Sequence, residues 1–336
     1  MRHLLNVKTL SIIGMQKNVG KTTVLNHILK ELSDKKIGLT SIGRDGEKED
    51  SVYFVSKPRV YLKKGTIVAT TSEAIKNSTS SLKVLYKTNM NTPMGLVHIA
   101  EVISDGFTDL AGPSFNQQVK DVLSLIEDEV DIFIVDGAFS RKQIASNHLM
   151  EATILVTGAS YDKDIKKTVD DTYTIYKLLT LPTINSKRVK DLISNHAVSI
   201  IDKFDEVFTF DLESVLGSKE EIVSRLDKTS KYLIINGALT IELVNQLIRK
   251  RQKLDELTII IKDGTKAFLD HDSYINLQKI GVNILVINNI NLVCLTYNPY
   301  SPLGYEYDDY LFREMLEKKI DLPIYNVLKV RGENCE

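Results

Sequence analysis

Short apolar runs rich in valine and isoleucine, separated by stretches of helical periodicity, predict an α/β protein. The expected architecture is a doubly wound, mostly parallel sheet with a second α/β domain. Three observations carry this. The runs are apolar throughout, as strands covered on both faces are; the segments between them show the helical repeat; and the two kinds alternate along most of the chain.

In the first half, strands are expected at 10–14, 37–43, 65–70, 95–102, 131–138 and 152–158. In the second half they are expected at 206–211, 231–237, 257–263, 282–288 and 292–299. Helices are expected at 21–33, 116–129, 164–179, 240–253 and 307–319. A domain boundary is read near Pro182, where a polar, strand-poor region of about twenty residues follows the long helix. This gives domains at 1–180 and 181–336.

With 336 residues, 43% of them hydrophobic, the chain can build two cores of ordinary size. Lysine and arginine total 43 against 44 acidic residues, so the net charge of −1 argues against a nucleic-acid-coating surface. Any recognition of phosphate must be local. Cys294 and Cys335 are the two cysteines. They offer no disulfide framework and suit a reducing, cytoplasmic setting. The sequence shows no cleavable leader and no run long enough to span a membrane. The six histidines have no ligand spacing, so no zinc site is expected.

The segment 10–32, "LSIIGMQKNVGKTTVLNHILKEL", joins a buried strand to a helix through a turn holding Gly14, Lys17, Asn18, Val19, Gly20 and Lys21. Successive N–H groups in such a turn, with the positive end of the helix behind them, form an anion cradle. Gly20 permits close approach, Lys21 reaches between the β- and γ-phosphates, Thr22 is a magnesium ligand, and Thr23 completes the nucleotide set. Five residues separate Gly14 from Gly20, one more than in the usual phosphate loop, and Met15 stands where the first glycine would be. This nine-residue form resembles the loop of dethiobiotin synthetase and, more broadly, the SIMIBI class of P-loop NTPases. Many members of that class carry a signature lysine near the start of the loop; here Gln16 holds that column, with Lys17 beside it.

Ligands of open α/β sheets bind beyond the carboxyl ends of the strands. "DIFIVDGA" ends in Asp136-Gly137, where Asp136 is placed to hold magnesium and Gly137 to sense a γ-phosphate; the plainer reading is a turn aspartate capping the next helix. "GLTSIGRDGE" puts Arg44 and Asp45 after the second strand. Asp45 matches the SIMIBI aspartate that binds magnesium or activates water, and Arg44 is suited to stabilising transferred phosphoryl charge. The Lys-Pro that serves dethiobiotin synthetase at this place is missing; Lys57-Pro58 comes later. Ser114 reads as the N-cap of the helix after "DLAGP". The five tyrosines of 294–310 divide between recognition and packing. No guanine-reading Asn-Lys-x-Asp motif is present, which favours ATP and leaves GTP open.

Taken together, "GMQKNVGKTTVLN", "GLTSIGRDGE", "KGTIVAT", "DLAGPS", "DGAFSR" and "YNPYSPLG" resemble, in this order, the P-loop subunits of lysine 5,6-aminomutase reactivases. The resemblance implies a P-loop fold and an ATPase that works with a MutS-like partner subunit to replace damaged cobalamin in an aminomutase. The nucleotide roles would fall on Gly20, Lys21, Thr22, Thr23, Asp45 and Asp136. The leading expectation is therefore a magnesium-dependent nucleotide switch, with catalytic roles on Lys21, Asp45 and Arg44 and metal ligands at Thr22, Asp45 and Asp136. The alternatives are a small-molecule ligase or kinase similar to dethiobiotin synthetase, and a scaffold that binds nucleotide without turnover. The oligomeric state is left open, a homodimer included.

Overall fold

The computed structural model of the chain describes residues 6–42, 59–138, 149–210, 218–250, 254 and 256–329. Two compact units divide the chain: Met1–Val169 with Asn291–Glu336, and Asp170–Ile290.

The first unit opens with β1 (Thr9–Gly14), α1 (Lys21–Glu31) and β2 (Ile37–Ser41), then β3 (Val60–Leu62), β4 (Ile67–Thr71) and α2 (Ser72–Lys76). Next come β5 (Ser81–Thr92), β6 (Gly95–Ser104), β7 (Gly106–Thr108), α3 (Asn116–Ile126), β8 (Ile132–Ala138) and β9 (Ala152–Gly158). Helix α4 (Ile165–Leu179) begins in the first unit and ends in the second. The second unit continues with α5 (Lys187–Asn195), β10 (Val198–Asp202), β11 (Val207–Phe210), α6 (Lys219–Arg225), β12 (Ser230–Ile235) and β13 (Leu239–Thr240). It closes with α7 (Ile241–Lys250), β14 (Thr258–Ile261), β15 (Ala267–Phe268), α8 (His271–Lys279) and β16 (Asn283–Val286). The chain then returns to the first unit for β17 (Leu292–Asn298), α9 (Asp309–Glu317) and β18 (Ile324–Asn326).

Among the described residues, the first unit is built on a nine-stranded sheet ordered β18-β17-β9-β1-β8-β2-β4-β6-β5. The pairs from β18 to β4 are parallel, while β6 and β5 add an antiparallel hairpin at one edge. Both faces of the central strands are covered, which is why β1 and β9 are buried along their whole length without alternation. Leu10, Ile12, Leu39, Ile132 and Ile134 pack with Val24, Leu25 and Ile28 of α1. Phe133 and Val135 face the other way, toward Val119, Val122 and Ile126 of α3.

Among the described residues, the second unit has its own five-stranded sheet, β11-β10-β12-β14-β16. Strands β12, β14 and β16 are parallel, and β10 and β11 run antiparallel to their neighbours. Leu233, Ile235, Leu243, Leu247, Ile259 and Leu277 form its main core.

The mixed α/β architecture and the large, mostly parallel sheet are as the sequence predicts, but the boundary at 180/181 is not. Residues 291–336 belong with the first unit because β17 is an apolar strand that β9 and β18 bury between them. The region after Pro182, read as strand-poor, holds α5 and β10. Ser114 does not cap α3; Phe115 takes that position, and the Gln118 side chain accepts from the Ser114 N–H instead (3.2 Å). Among the described residues, no helix is long and apolar enough to cross a membrane.

Candidate functional site

β1 carries the chain to the carboxyl edge of the sheet, and the loop that follows is fixed at several points. The Met15 N–H donates to the Val156 carbonyl (2.9 Å), Gln16 Nε2 donates to the Ser160 carbonyl (3.3 Å), and Ser160 Oγ donates to the Lys17 carbonyl (3.5 Å). Asn18 and Gly20 both take positive φ, 64° and 106°. The loop thereby turns sharply into α1, with buried Val19 pinned in the core beneath it. Gly20 is the N-cap residue and so offers no side chain of its own to the first-turn N–H groups of α1. Those groups are the ordinary orphans of a helix start and carry its positive dipole end.

Lys21 opens α1 and folds back across the loop, where its Nζ donates to the Gln16 carbonyl (3.1 Å). A Cβ on Gly14 would lie 2.7 Å from Lys21 Cγ and 2.8 Å from Val19 Cγ2. Gly14 is therefore the residue that lets the lysine stem lie over the strand exit. Thr22 and Thr23 occupy the same first turn and are half-buried.

Asp136 sits on the next strand, in register with Ile12 of β1 and Ser41 of β2. It belongs to the strand, so the helix-capping reading of this aspartate does not hold. As a residue Asp136 is partly exposed, yet its Oδ1 is shielded from solvent and has no hydrogen-bond partner among the described residues. Burial pushes the Asp136 carboxyl up, against the pull of the Lys21 charge and a hydrogen bond from the Gly137 N–H. Burial likewise lowers the Lys21 ammonium, which Asp136 partly offsets and Lys17 reinforces. An under-solvated lysine and an under-partnered carboxylate thus share one strand-exit site.

The structure brings Gly14, Lys17, Asn18, Val19, Gly20, Lys21, Thr22, Thr23, Asp136 and Gly137 to adjacent strand ends of the first sheet. Arg44 and Asp45 lie outside the described residues, as does Lys57-Pro58. Among the described residues, no group of three or more His, Cys, Asp or Glu side chains is placed to hold a metal. Magnesium on a phosphate needs no such group, since it takes one or two protein carboxylates and keeps several waters. The residues here that could hold such an ion are Asp136, through the Oδ1 that lacks a hydrogen-bond partner among the described residues, and Thr22 at the start of α1.

Sequence reasoning missed Ser41 and Ser160, and marked Asn298 only as part of the 294–310 strand-exit stretch. Asn298 ends β17 beside the loop: its Cβ lies 3.3 Å from the position a Gly20 Cβ would take. Beyond it, Tyr305 Oη donates to the Ala159 carbonyl (2.7 Å) and Tyr307 Oη pairs with Thr168 Oγ1 (2.8 Å). Tyr297, Tyr305 and Tyr307 therefore pack and fasten this loop, whereas Tyr300 and Tyr310 are exposed. A scan of protein-family models finds none that matches the chain, and a search of curated proteins finds no significant match.

Proposed function

We propose that the loop 14–23 binds the phosphates of a nucleotide, ATP in preference to GTP, and that the first unit is a P-loop NTPase of the SIMIBI class. One observation carries this reading: Lys21 lies folded over Gly14 at a helix start whose N-cap is a glycine, one strand away from an Asp136 carboxylate oxygen that has no hydrogen-bond partner among the described residues. The N–H groups of the loop and of the α1 start hold phosphate oxygens, and the Lys21 ammonium leaves the Gln16 carbonyl for the β- and γ-phosphates. Thr22 and Asp136 hold magnesium, which when bound neutralises charge building up on the phosphate oxygens. Asp45 and Arg44, on the connection after β2, serve hydrolysis.

The nucleotide state biases these loops, and the second unit relays it to a protein partner. The resemblance to aminomutase reactivases supports a MutS-like subunit and a cobalamin-dependent aminomutase as the partners. Calorimetric titration of Lys21→Ala tests the assignment. Removing one charged donor lowers nucleotide affinity about 10–100-fold, whereas unchanged affinity overturns it. Product release stimulated by a small acid or amine and by no protein would turn the reading to a ligase or kinase similar to dethiobiotin synthetase.

A further inference from the structure

We infer that Ser41 is a positioning residue of the metal centre, its hydroxyl orienting a metal-bound water beside Asp136. The inference rests on the nucleotide reading above and deepens it. Ser41 ends β2 in register with Asp136, so strand alternation sends both side chains to the face under α1, the face that carries Ile12, Leu39 and Ile134. Neighbouring strands stand about 5 Å apart. The Ile42 N–H donates to the Asp136 carbonyl (2.9 Å) and fixes this level of the two strands.

Ser41 is 6% exposed, and its Oγ accepts the Gly112 N–H (3.1 Å). That donor is itself held in place. A Cβ on Gly112 would lie 2.1 Å from the Ser41 carbonyl oxygen. The Thr70 hydroxyl donates to the Asp109 carbonyl (3.1 Å) and accepts from the Ala111 N–H (3.0 Å), so 109–112 is strapped across the ends of β2 and β4.

A hydroxyl that accepts from a fixed N–H keeps its own proton for a different direction. Across the strand gap stands Asp136 Oδ1, buried and, among the described residues, without a hydrogen-bond partner, the Ser41 hydroxyl included. Side chains of paired residues on neighbouring strands, about 5 Å apart, leave room for one water oxygen between them. Magnesium retains several of its waters, and the groups that orient such a shell set metal affinity along with the ligands themselves. A purely structural serine would serve Gly112 and nothing more.

The experiment titrates full-length protein with a fluorescent ATP analogue, in EDTA and in magnesium, and repeats it with manganese to read bound metal by electron paramagnetic resonance. Ser41→Ala is expected to leave the EDTA affinity unchanged and to lose about 10-fold or more of the metal-dependent gain and of manganese affinity. Ser41→Thr, which keeps the hydroxyl, is expected to retain both. Full metal dependence in Ser41→Ala overturns the inference while leaving the nucleotide site intact. Wild-type protein that binds no nucleotide in either condition overturns the reading beneath it. Should Ser41→Ala lose its EDTA affinity through misfolding, Ser41→Cys carries the same test, since it keeps the volume but offers a poor donor.

Discussion

Asp136 concentrates the conflict between stability and function at this site. Its Oδ1 is buried and, among the described residues, unpaired, which costs the chain free energy that a bound magnesium ion would offset under the proposed reading. Asp136→Asn should therefore stabilise the ligand-free protein, by about 1 kcal/mol or about 2 °C in melting temperature, while removing the metal dependence of nucleotide binding. The pH dependence has a definite sign. Burial raises the folded-state value above 3.8, so in the window above 3.8 the folded chain binds more protons than the unfolded one, and stability falls as pH rises. The advantage of Asp136→Asn should grow from about pH 4 upward; urea melts at acid and neutral pH would show it, and an advantage independent of pH would refute this account. Lys21 and Asp136 were legible in the sequence because each is marked by its immediate neighbours, a glycine turn and a strand exit. Ser41 was not, because its meaning comes from register with a strand some ninety residues away. In isolation it is one polar residue in an apolar strand.

Elements show the same division between local and distant causes. α6 ends near Leu226, and its closing carbonyls are met from another helix: Lys250 Nζ at the end of α7 donates to the carbonyls of Val223, Ser224 and Leu226. Burial lowers the Lys250 ammonium, which Asp227 partly offsets. Lys250→Met keeps the apolar stem and deletes the charged donors, so the expected cost is about 1–3 kcal/mol. Hydrogen exchange should report it as faster opening of α6, with the loop 14–23 unaffected; unchanged protection of α6 would contradict it. Neither α6 nor this contact was read from the sequence, since α6 is short and its stop is supplied by a residue 24 positions away. α1 was legible because glycine precedes it and its apolar stripe repeats at helical spacing. β5 was missed for a different reason. As an exposed edge strand carrying Lys83, Lys87 and Asn89, it lacks the continuous apolar run by which buried parallel strands announce themselves.

At the scale of the whole molecule, the order of strands in the sheet departs from their order in the chain. β17 and β18 are separated from β9 by the entire second unit, yet β17 lies directly against β9, with Leu295 opposite Leu155 and Thr296 opposite Val156. Both strands were expected as strands, and what could not be read was that the later one returns to the earlier sheet. Apolar runs show that a strand is buried without showing which neighbour buries it. The consequence is testable by truncation. A chain ending at 290 keeps the loop 14–23, Lys21 and Asp136, and under the boundary read from the sequence it would lose only part of an accessory domain. The structure says otherwise: such a chain leaves β9, whose residues are buried along its whole length, as an unpaired edge facing water, and strips Asn298 and Val327 from beside Gly20. The expected outcome is aggregation or loss of cooperative unfolding in the first unit, read by circular dichroism and size-exclusion chromatography, together with loss of nucleotide binding. A truncated chain that stayed monomeric, melted cooperatively and bound nucleotide as the full chain does would show that β17 and β18 decorate this sheet without completing it.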